Sequence, residues 1–513
     1  MLLSISLILI LGMFMGWICR KMKLPASFEL LGMILLAPKL MGLSVLESAV
    51  MGAVLAASLT FVAGKTPLLP VVQVQAAGMQ DVEWDMSVDF EKAFQKALDT
   101  ARYSKGGNTI YRIKIPAGTY KAGSSFNVYS NTYIDMEGVT LVRTSSASMF
   151  RFGRSADVTG ISGYSGFENI TFHGGTIDGQ GAEHPNYTST LIRFAHSQNV
   201  TLENMVLKNT SNSHHIEFAA SQNVTIDNCV FSDYHGKNTS NNEAVQIETL
   251  HKKHFGSYGK YDETPNKNIT VTNCTFQNVQ RGIGTHAGIV GCYFNGMKIE
   301  NNTFINIPGY AIIATNYINS SIQNNQIQNC ASGILFRNMA LTYYPSEKGN
   351  KKKMPKISSN SVIANNTIEV TDRKYKNVNY GIQLFGENRT KKKSGIPKGD
   401  YRVYGVQVSG NVVNLKNAAY GIWLYGTGNI RVNGNVVNMQ IPKGVRGKSG
   451  GTGIRVIYSK SSKVFGNTVT NTSSNKNKKL YRGIELIGKK AGSASKNSFR
   501  GFVKKQRTVK RTK

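Results

Sequence analysis

The chain has 513 residues, with 61 Lys and Arg against 29 Asp and Glu, and a formal net charge of +32 at neutral pH. A field of this sign favours acidic polymers as partners, such as uronate or sulfated glycans or the teichoic acids of a cell wall. The five cysteines are not spaced as a disulfide framework or a metal site, which excludes a small disulfide-stapled scaffold.

Residues 1–76 are predicted to form a hydrophobic leader. Apolar blocks at 1–19 and 30–64 flank a short basic stretch, and residues 74–77 resemble an A-x-A-like cleavage site. The simplest interpretation is a secretory signal, so we expect a secreted or cell-surface protein. A leader that is retained would instead anchor the chain in a membrane. Outside the cell, nucleic acid is not an expected partner.

Residues 77–107 are predicted to form an N-terminal cap with an amphipathic helix over 89–103. Its apolar residues recur at helical spacing: Phe90, Ala93, Phe94 and Ala97. A repeat array exposes apolar surface at its ends unless a terminal element covers it. The helix is therefore expected to close the open end of the array that follows.

An Asn-rich strand recurs through residues 108–502, with copies beginning at Asn199, Asn223 and Asn268. A second strand type lies between the copies, and both alternate apolar and other residues, as half-buried strands do. One unit takes about two dozen residues, which suits a turn of a parallel β-helix and is too short for a βαβ crossover. The prediction is an all-β, single-stranded right-handed parallel β-helix solenoid of about ten or more coils, followed by a basic tail at 503–513.

This unit resembles the parallel β-helix repeat of the pectin-lyase-like superfamily. Residues 111–120 resemble the first coil of those proteins, and residues 174–181 resemble a phrase found early in polygalacturonase-type glycosidases. The resemblance implies the fold and, broadly, a glycan-active protein. The Asp-Asp, Gly-His-Gly and Arg-Ile-Lys elements of polygalacturonases have no counterpart here, so no catalytic residue is transferred. The outward face is also too poor in Asp for the calcium site of pectate lyases, and we expect neither metal nor cofactor.

Asn residues at the strand ends are predicted to turn the corners of the coils. Asn tolerates left-handed backbone conformations and bonds its own backbone. Stacked Asn side chains can also bond along the solenoid as a ladder. Cys229 and Cys274 occupy the same position in neighbouring units and are predicted to stack as small core residues.

Alternation along the second strand type predicts two outward columns of side chains, because Ile216, Val245 and Ile283 should face the core. The first column contains Arg193, Glu217, Gln246, Gly284, Ile313, Leu335, Gln383, Trp423, Arg455 and Glu485. The second contains Ala195, Ala219, Glu248, His286, Thr315, Arg337, Phe385 and Tyr425.

Acidic, His and Arg residues concentrate on three adjacent coils of these columns. A glycoside hydrolase needs two carboxyl groups, one of them protonated, on either side of the scissile bond. Glu217 and Glu248 are roughly 8 Å apart by backbone position, which permits a retaining or an inverting arrangement. The candidate catalytic residues are Glu217, Glu248, His286, Asp262 and Glu243. The candidate substrate-binding residues are Gln246, Arg281, Arg337, His215, His235, Gln383, Phe385, Trp423 and Tyr425.

Three functional interpretations remain open from the sequence. The favoured one is a glycoside hydrolase that cleaves an acidic or host-type polysaccharide. The first alternative is a polysaccharide lyase or epimerase acting on uronates, with His286 as the base and Arg281 or Arg337 neutralising the substrate carboxylate. The second is a non-catalytic glycan-binding or cell-wall-binding adhesin, in which the charged residues are a salt-bridged ladder and the basic tail contacts a wall polyanion.

Two further features fit a glycan-binding surface. Exposed aromatic residues on a rigid face can stack on sugar rings. Three insertions, at 249–267, 338–356 and 387–404, flank the outward columns, and long loops on one edge of a solenoid are usual places for binding walls.

Overall fold

A computed structural model describes residues 78–85, 87–236, 242–338, 342–344, 357–371, 379–389, 398–417, 419–443, 451–474, 478–488 and 490–509. The predicted leader with its possible membrane anchor, and the last residues of the basic tail, lie outside this part of the chain. Within the described residues, no helix has the length and apolar character needed to cross a membrane.

Nearly all of the regular structure is β-strand. The helices are α1 (Phe90–Asp99), α2 (Lys252–Phe255) and a 3₁₀ turn, Lys478–Leu480. The strands, numbered in chain order, are β1 (Gly78–Asp81), β2 (Thr109–Lys114), β3 (Gly118–Ala122), β4 (Phe126–Val128), β5 (Thr132–Asp135), β6 (Val139–Arg143), β7 (Phe150–Phe152), β8 (Phe167–His173), β9 (Thr176–Asp178), β10 (Ile192–Ala195), β11 (Ser197–Glu203), β12 (Val206–Thr210), β13 (Ile216–Ala219), β14 (Gln222–Asp227), β15 (Val230–Tyr234), β16 (Glu243–Glu248), β17 (Lys267–Thr272), β18 (Thr275–Gln277), β19 (Arg281–Gly284), β20 (Ala287–Ile289), β21 (Phe294–Asn295), β22 (Lys298–Glu300), β23 (Thr303–Ile305), β24 (Tyr310–Thr315), β25 (Tyr317–Ile318), β26 (Ser321–Gln323), β27 (Gln326–Cys330), β28 (Ser332–Arg337), β29 (Thr342–Tyr344), β30 (Ser361–Ala364), β31 (Thr367–Val370), β32 (Tyr380–Phe385), β33 (Asn388–Arg389), β34 (Gly399–Asp400), β35 (Val403–Tyr404), β36 (Val406–Ser409), β37 (Val412–Leu415), β38 (Tyr420–Tyr425), β39 (Thr427–Gly428), β40 (Arg431–Asn433), β41 (Val436–Met439), β42 (Thr452–Ile457), β43 (Ser462–Phe465), β44 (Thr468–Asn471), β45 (Arg482–Ile487), β46 (Gly492–Ser495), β47 (Ser498–Arg500) and β48 (Lys504–Val509).

Three long sheets wind along the solenoid, and each turn of the chain adds one strand to each sheet. The first sheet runs from β1 to β46, the second from β3 to β47 and the third from β4 to β48. The pairings between successive coils in these sheets are parallel, as between β10, β13 and β16. The predicted parallel β-helix is therefore confirmed.

The number of strands per coil differs from the sequence interpretation. The Asn-rich strand forms the first sheet and the second strand type forms the third, but a further strand lies between them. An example is β12, which follows β11 after only Asn204 and Met205. Asn204 turns this corner at a φ of +57°. Because the corner takes two residues, the hydrophobic alternation hardly breaks there, and the sequence shows the two strands as one.

Asn residues turn corners and form ladders, as predicted. Corner residues such as Asn199 and Asn223 have φ of +54° and +53°, and their side chains bond to each other at 3.0 Å. A second ladder lies inside the solenoid, with amide contacts of 2.8–3.0 Å between successive members. Its members are Asn302, Asn325, Asn366, Asn411, Asn435, Asn467 and Asn497.

The buried cysteines have the structural position that was predicted. The backbone N–H of Cys229 donates to Sγ of Cys274 at 3.4 Å, and the N–H of Cys274 donates to Oδ1 of Asn302 at 3.0 Å. The two thiols therefore extend the inner Asn ladder toward the N-terminus. The remaining core is apolar, with rings such as Phe194 and Phe218 stacked 5.1 Å apart.

Helix α1 closes the N-terminal end of the solenoid. Asp89 caps it by accepting a hydrogen bond from the backbone N–H of Lys92. The ring of Phe94 packs edge-on against Phe126 of β4, with 4.7 Å between ring centroids. The predicted capping helix is confirmed, although it ends at Asp99 rather than at residue 103.

Candidate functional site

Strand pairing in the third sheet has the register predicted for the first outward column. Arg193 pairs with Glu217, Glu217 with Gln246, and Gln246 with Gly284. In the same sheet Glu243 lies beside Arg281. Three adjacent strands, β13, β16 and β19, therefore bring the acidic and basic candidates onto one face.

This face is covered where the acidic residues lie. Glu217 is 6% exposed, and the side chains of Glu243 and Glu248 are fully buried. The insertion after β16 folds back over the sheet and forms an apolar cluster outside the solenoid. Its members are Leu250, Phe255 and Tyr258, packed on Ala195, Ala219 and Ala220. Small alanines in the second outward column thus leave room for the insertion, whose His254 places Nε2 3.9 Å from Oε2 of Glu248.

A carboxylate, an imidazole and a guanidinium meet at the centre of the site. One carboxylate oxygen of Glu243 lies 3.0 Å from Nη1 of Arg281, and the other lies 2.9 Å from Nδ1 of His286. Burial by itself lowers the pKa of His286, but the hydrogen bond to Glu243 and the charges of Glu248 and Glu243 outweigh it and raise this pKa to about 9. The site therefore holds His286 as an imidazolium at neutral pH.

The same interactions act in the opposite sense on the carboxyl group of Glu243. Burial by itself raises its pKa, but the hydrogen bond and charge of His286, with Arg281 and His214, lower this pKa to about 2. Glu243 is consequently ionised across the physiological range. A buried ion pair of this kind is stable only because each charge has a close partner.

Gln246 connects this centre to Glu248. Its Nε2 donates to Oε1 of Glu248 at 2.5 Å, and its Oε1 lies 3.1 Å from Nδ1 of His286. The backbone N–H of His286 also donates to Oε1 of Glu248 at 3.3 Å. A fixed amide side chain thus links the imidazolium to a second carboxylate.

Glu217 lies at the edge of this cluster and is held by an arginine that the sequence interpretation left out of the site. Nε of Arg193 lies 2.8 Å from Oε2 of Glu217, and Nη2 of Arg193 donates to the backbone oxygen of His254 at 2.6 Å. The guanidinium also lies over the ring of Phe255, 4.4 Å from its centroid. Arg193 therefore connects the insertion to the third sheet. Its position beside Glu217 in the first outward column could have identified it from the sequence as a residue of the site.

Two more histidines were not among the predicted site residues. His214 stacks on His286 with 6.0 Å between ring centroids, and its Nδ1 lies 2.6 Å from the backbone oxygen of Glu243. Nε2 of His254 is 3.9 Å from Oε2 of Glu248, and burial lowers the pKa of His254 to about 4. Alternation back from Ile216 predicts the opposite arrangement, with His215 outward and His214 inward, but β13 begins only at Ile216 and the alternation does not extend to these two residues.

Four of the predicted residues lie outside this cluster or have other partners. His215 faces the interior, where Nε2 lies 3.0 Å from the backbone oxygen of Ser232 and burial lowers its pKa to about 4. His235 is exposed after a strand of the second sheet. Asp262 accepts hydrogen bonds from the backbone of Gly163 and Thr264, which organises the insertion. Arg337 is buried, and its guanidinium donates to Thr315 and to the backbone of Thr285.

The remaining predicted residues form an aromatic stripe further along the third sheet. Trp423 lies 4.8 Å from Tyr380 and 5.2 Å from Tyr425, and Phe385 lies 5.3 Å from Tyr425, measured between ring centroids. Gln383 is buried and accepts a hydrogen bond from the hydroxyl of Tyr310. These half-buried rings present a continuous apolar track on the same face as the charged cluster.

Sequence comparison with protein families matches the family described as right handed beta helix region at residues 159–326 and 266–437, which together span more than half of the chain. The chain belongs to this family. The solenoid described above is a right-handed parallel β-helix of the pectin-lyase-like kind. A comparison with curated proteins gives no significant match.

Several solved structures resemble this β-helix protein. PfbA, a surface adhesin of Streptococcus pneumoniae, is 23% identical over 76% of this chain and 88% of its own, with a TM-score of 0.57. A variant of the tailspike protein of E. coli bacteriophage HK620, in complex with a hexasaccharide, is 12% identical over 82% and 74%, with a TM-score of 0.50. The family 28 exopolygalacturonase of Yersinia enterocolitica is 12% identical over 85% and 79%, with a TM-score of 0.48. At these identities the likeness is one of fold.

The cluster in this β-helix protein has the groups that acid–base chemistry requires. His286 carries a proton at neutral pH, and its side chain is 20% exposed, whereas Glu243 is fully buried behind it. Glu243 is bonded to Nδ1, and Nε2, on the far side of the ring from that carboxylate, lies 3.5 Å from Nε2 of Gln246. Among the described residues, no group of three or more His, Cys, Asp or Glu side chains is arranged to hold a metal ion.

Proposed function

We propose that this β-helix protein is a secreted glycoside hydrolase that cleaves an acidic or host-type polysaccharide at the Glu243–His286 cluster. The observation that carries the proposal is an imidazolium at the surface, fixed by a buried carboxylate and linked through Gln246 to Glu248. A positioned proton donor beside a second carboxylate is the minimum that glycosidic cleavage needs.

In this mechanism His286 is the general acid. The glycosidic C–O bond breaks as the leaving oxygen takes the proton from Nε2 of His286. The charge of the buried Glu248 stabilises the sugar cation, and the neutral imidazole of His286 that the first step leaves takes a proton from the water that adds to the anomeric carbon. Glu243 acts as a positioning residue, because it holds the imidazole through Nδ1 and keeps it protonated.

Substrate would enter where the cluster reaches the surface. The side chains of His286, His254 and Arg193 are 20%, 18% and 22% exposed, respectively. The net charge of +32 supports an acidic polymer as the substrate. The tailspike relative was crystallised with a hexasaccharide, and a glycan is the ligand we propose here by analogy of fold.

A uronate lyase or epimerase is less well supported by the geometry. His286 with a pKa of about 9 is protonated at neutral pH and therefore does not accept a proton from the substrate. Arg281 is bonded to Glu243, and Arg337 is buried with its guanidinium on Thr315 and the backbone of Thr285. The groups expected to neutralise a substrate carboxylate thus have protein partners.

A non-catalytic glycan-binding role is the second candidate function. It is favoured by the complete burial of Glu243 and Glu248, which suits a structural ion-pair network. It also agrees with the aromatic stripe, and one relative by fold is a surface adhesin. In that role the cluster stabilises the coils and the stripe makes the contacts.

One assay separates these functions. The purified protein is incubated with a panel of acidic and host-type glycans, and new reducing ends and the ultraviolet absorbance of unsaturated uronates are recorded in the same wells. Reducing ends without absorbance support the hydrolase, and absorbance would overturn it in favour of a lyase. If neither signal appears and the protein is retained on an acidic glycan column, the hydrolase proposal would be overturned in favour of a non-catalytic glycan-binding role.

A further inference from the structure

A cleft lies at the far end of the aromatic stripe, away from the charged cluster. It has a volume of about 460 Å³. Its lining residues come from the corner between the third and first sheets and from the insertion at 387–404, and they include Glu387, Arg402, Tyr425, Tyr458, Lys460 and Lys490. It is about 20 Å from His286, since four strand spacings separate β19 from β38.

Two tyrosines form the aromatic wall of this cleft. Tyr425 is the last ring of the stripe, and Tyr458 lies 5.2 Å from it with the ring planes at 71°. Tyr458 is 47% exposed, in contrast to the half-buried rings of the stripe. The two rings thus offer one edge and one face, an apolar surface on which the C–H face of a sugar ring can pack.

The backbone of Tyr458 is unusual for its residue type. It has a φ of +52°, in the left-handed region that bulky side chains rarely adopt. The corresponding corners after β24, β38 and β45 are formed by Asn316, Gly426 and Gly488, whereas those after β10 and β13 are formed by His196 and Ala220 at φ of +53° and +48°. The left-handed conformation at this corner turns the Tyr458 ring toward Tyr425 and the cleft.

The charges of the cleft do not balance. Arg402 is paired with Asp400 at 3.2 Å, and Glu387 is paired with Arg389. Lys460 and Lys490 are exposed, and neither is in an ion pair with any of the residues that the structure describes. Two ammonium groups beside two tyrosines leave the cleft with a net positive charge, and an anionic ligand would complement it.

We propose that this cleft binds a sugar ring that carries a carboxylate or sulfate group. Tyr425 and Tyr458 pack against the ring, and Lys460 and Lys490 pair with its anionic group. The inference does not depend on hydrolysis, because the cleft is separate from His286 and is tested by binding. The aromatic stripe lies between the charged cluster and the cleft, so one extended glycan chain can contact both.

The test measures the affinity of the purified protein for polygalacturonate, which carries carboxylates, for heparin, which carries sulfates, and for neutral dextran. The Lys460→Gln/Lys490→Gln variant should bind the anionic polymer about tenfold more weakly at physiological salt, because each exposed ion pair makes only a modest contribution. Tyr458→Asn should weaken binding about fivefold, since it removes the ring. Asn suits the left-handed corner, as at Asn316, so the coil should stay folded.

Matched controls separate the cleft from general surface charge. Lys463→Gln/Lys479→Gln removes the same charge from exposed positions outside the cleft, and Tyr103→Ser removes an exposed ring at the other end of the chain. Both should bind within about twofold of the wild type, as surface substitutions usually do. Because heparin carries uronate carboxylates as well as sulfates, losses on both anionic polymers identify a carboxylate ligand, and losses confined to heparin identify a sulfate ligand.

Three results would overturn the inference: equal losses in the control and cleft lysine variants, unchanged binding in Tyr458→Asn, or equal binding of dextran. His286→Gln should bind as the wild type does. If His286→Gln loses turnover but keeps its affinity, the proposed binding role of the cleft is unaffected. If only the cleft variants lose affinity, that result supports the cleft and does not test the proposed hydrolase activity.

Discussion

Nδ1 of His286 lies 2.9 Å from Oε2 of Glu243, although 43 residues separate them in the chain. Glu243 begins β16, and His286 follows β19 on the next coil. Each group stabilises the charged form of the other, so that the pKa of the carboxyl falls to about 2 and that of the imidazole rises to about 9. Parallel stacking of coils creates this pair, and the proposed chemistry depends on it.

Replacing His286 by Gln should remove the general acid. We expect kcat to fall about 10²- to 10⁴-fold, the usual contribution of a positioned proton donor, while the circular dichroism of the β-helix stays unchanged. The measurement is reducing-end release from the glycan that the panel identifies. His173→Gln is the matched control, because His173 also has Nδ1 2.9 Å from a carboxylate, Glu203, on the first sheet. Similar activity in both variants would disprove the role of His286.

Replacing Glu248 by Gln tests the second carboxylate. The amide has nearly the same shape, so the coil should stay folded, whereas kcat should fall by at least about hundredfold because the sugar cation loses its stabilising charge. Turnover and melting temperature are measured on the same preparation. Glu203→Gln, which changes a carboxylate of the first sheet, should keep full activity. Wild-type turnover in Glu248→Gln would remove Glu248 from the mechanism.

The raised pKa of His286 predicts a pH-dependent contribution to stability. A group whose pKa is higher in the folded state stabilises the fold fully below its unfolded pKa, near 6.5, and loses this effect as the pH rises through about 9. The wild type should therefore melt above His286→Gln by the largest margin near pH 6. The margin should shrink by about pH 10.

The melting temperature of the wild type must be compared with that of His286→Gln, because other histidines also change the stability of the fold below pH 6.5. Burial lowers the pKa of both His215 and His254 to about 4, so their protonation destabilises the fold as the pH falls. Both residues are present in the wild type and in His286→Gln, so the difference between the melting temperatures cancels the effect of His215. The charge of His286 is one cause of the low pKa of His254, so the effect of His254 cancels only in the upper part of the range, where its imidazole is neutral in both proteins. A difference that stays constant from pH 6 to pH 10 would show that the ion pair does not raise the pKa of His286.

The inner Asn ladder should be a main source of stability. Nδ2 of Asn411 donates to Asn435, and Oδ1 of Asn411 accepts from the side chain and backbone of Asn366. Asn411→Ala leaves these buried partners unsatisfied and should cost about 3 kcal/mol of unfolding free energy in urea titrations. Asn433→Ala, at an outward position two residues before the ladder member Asn435, should cost less than about 0.5 kcal/mol. Equal losses of unfolding free energy in the two variants would show that the inner Asn ladder contributes no more stability than an outward Asn.

Much of the architecture could be predicted from local chemistry. Alternation placed Ile216, Val245 and Ile283 in the core, and the left-handed tolerance of Asn placed it at the corners. The third strand of each coil was missed at corners such as Asn204, because a two-residue turn leaves little mark on the pattern. The outward columns followed from the same alternation, and strand pairing confirms the register of Arg193, Glu217 and Gln246.

The repeat in the sequence by itself determined the β-helix, since its period of two and its Asn corners act within one coil and recur in every coil. Only the tertiary structure decided how the outward face is covered. The insertion after β16 packs Phe255 on the alanines of the second column and brings His254 to 3.9 Å from Glu248, and the side chains of Glu243 and Glu248 are both fully buried. Burial strengthens the interaction between Glu243 and His286, because two charges interact more strongly where water is excluded, and it thereby shifts their pKa values. The pattern of residues along the chain does not show where water will be excluded.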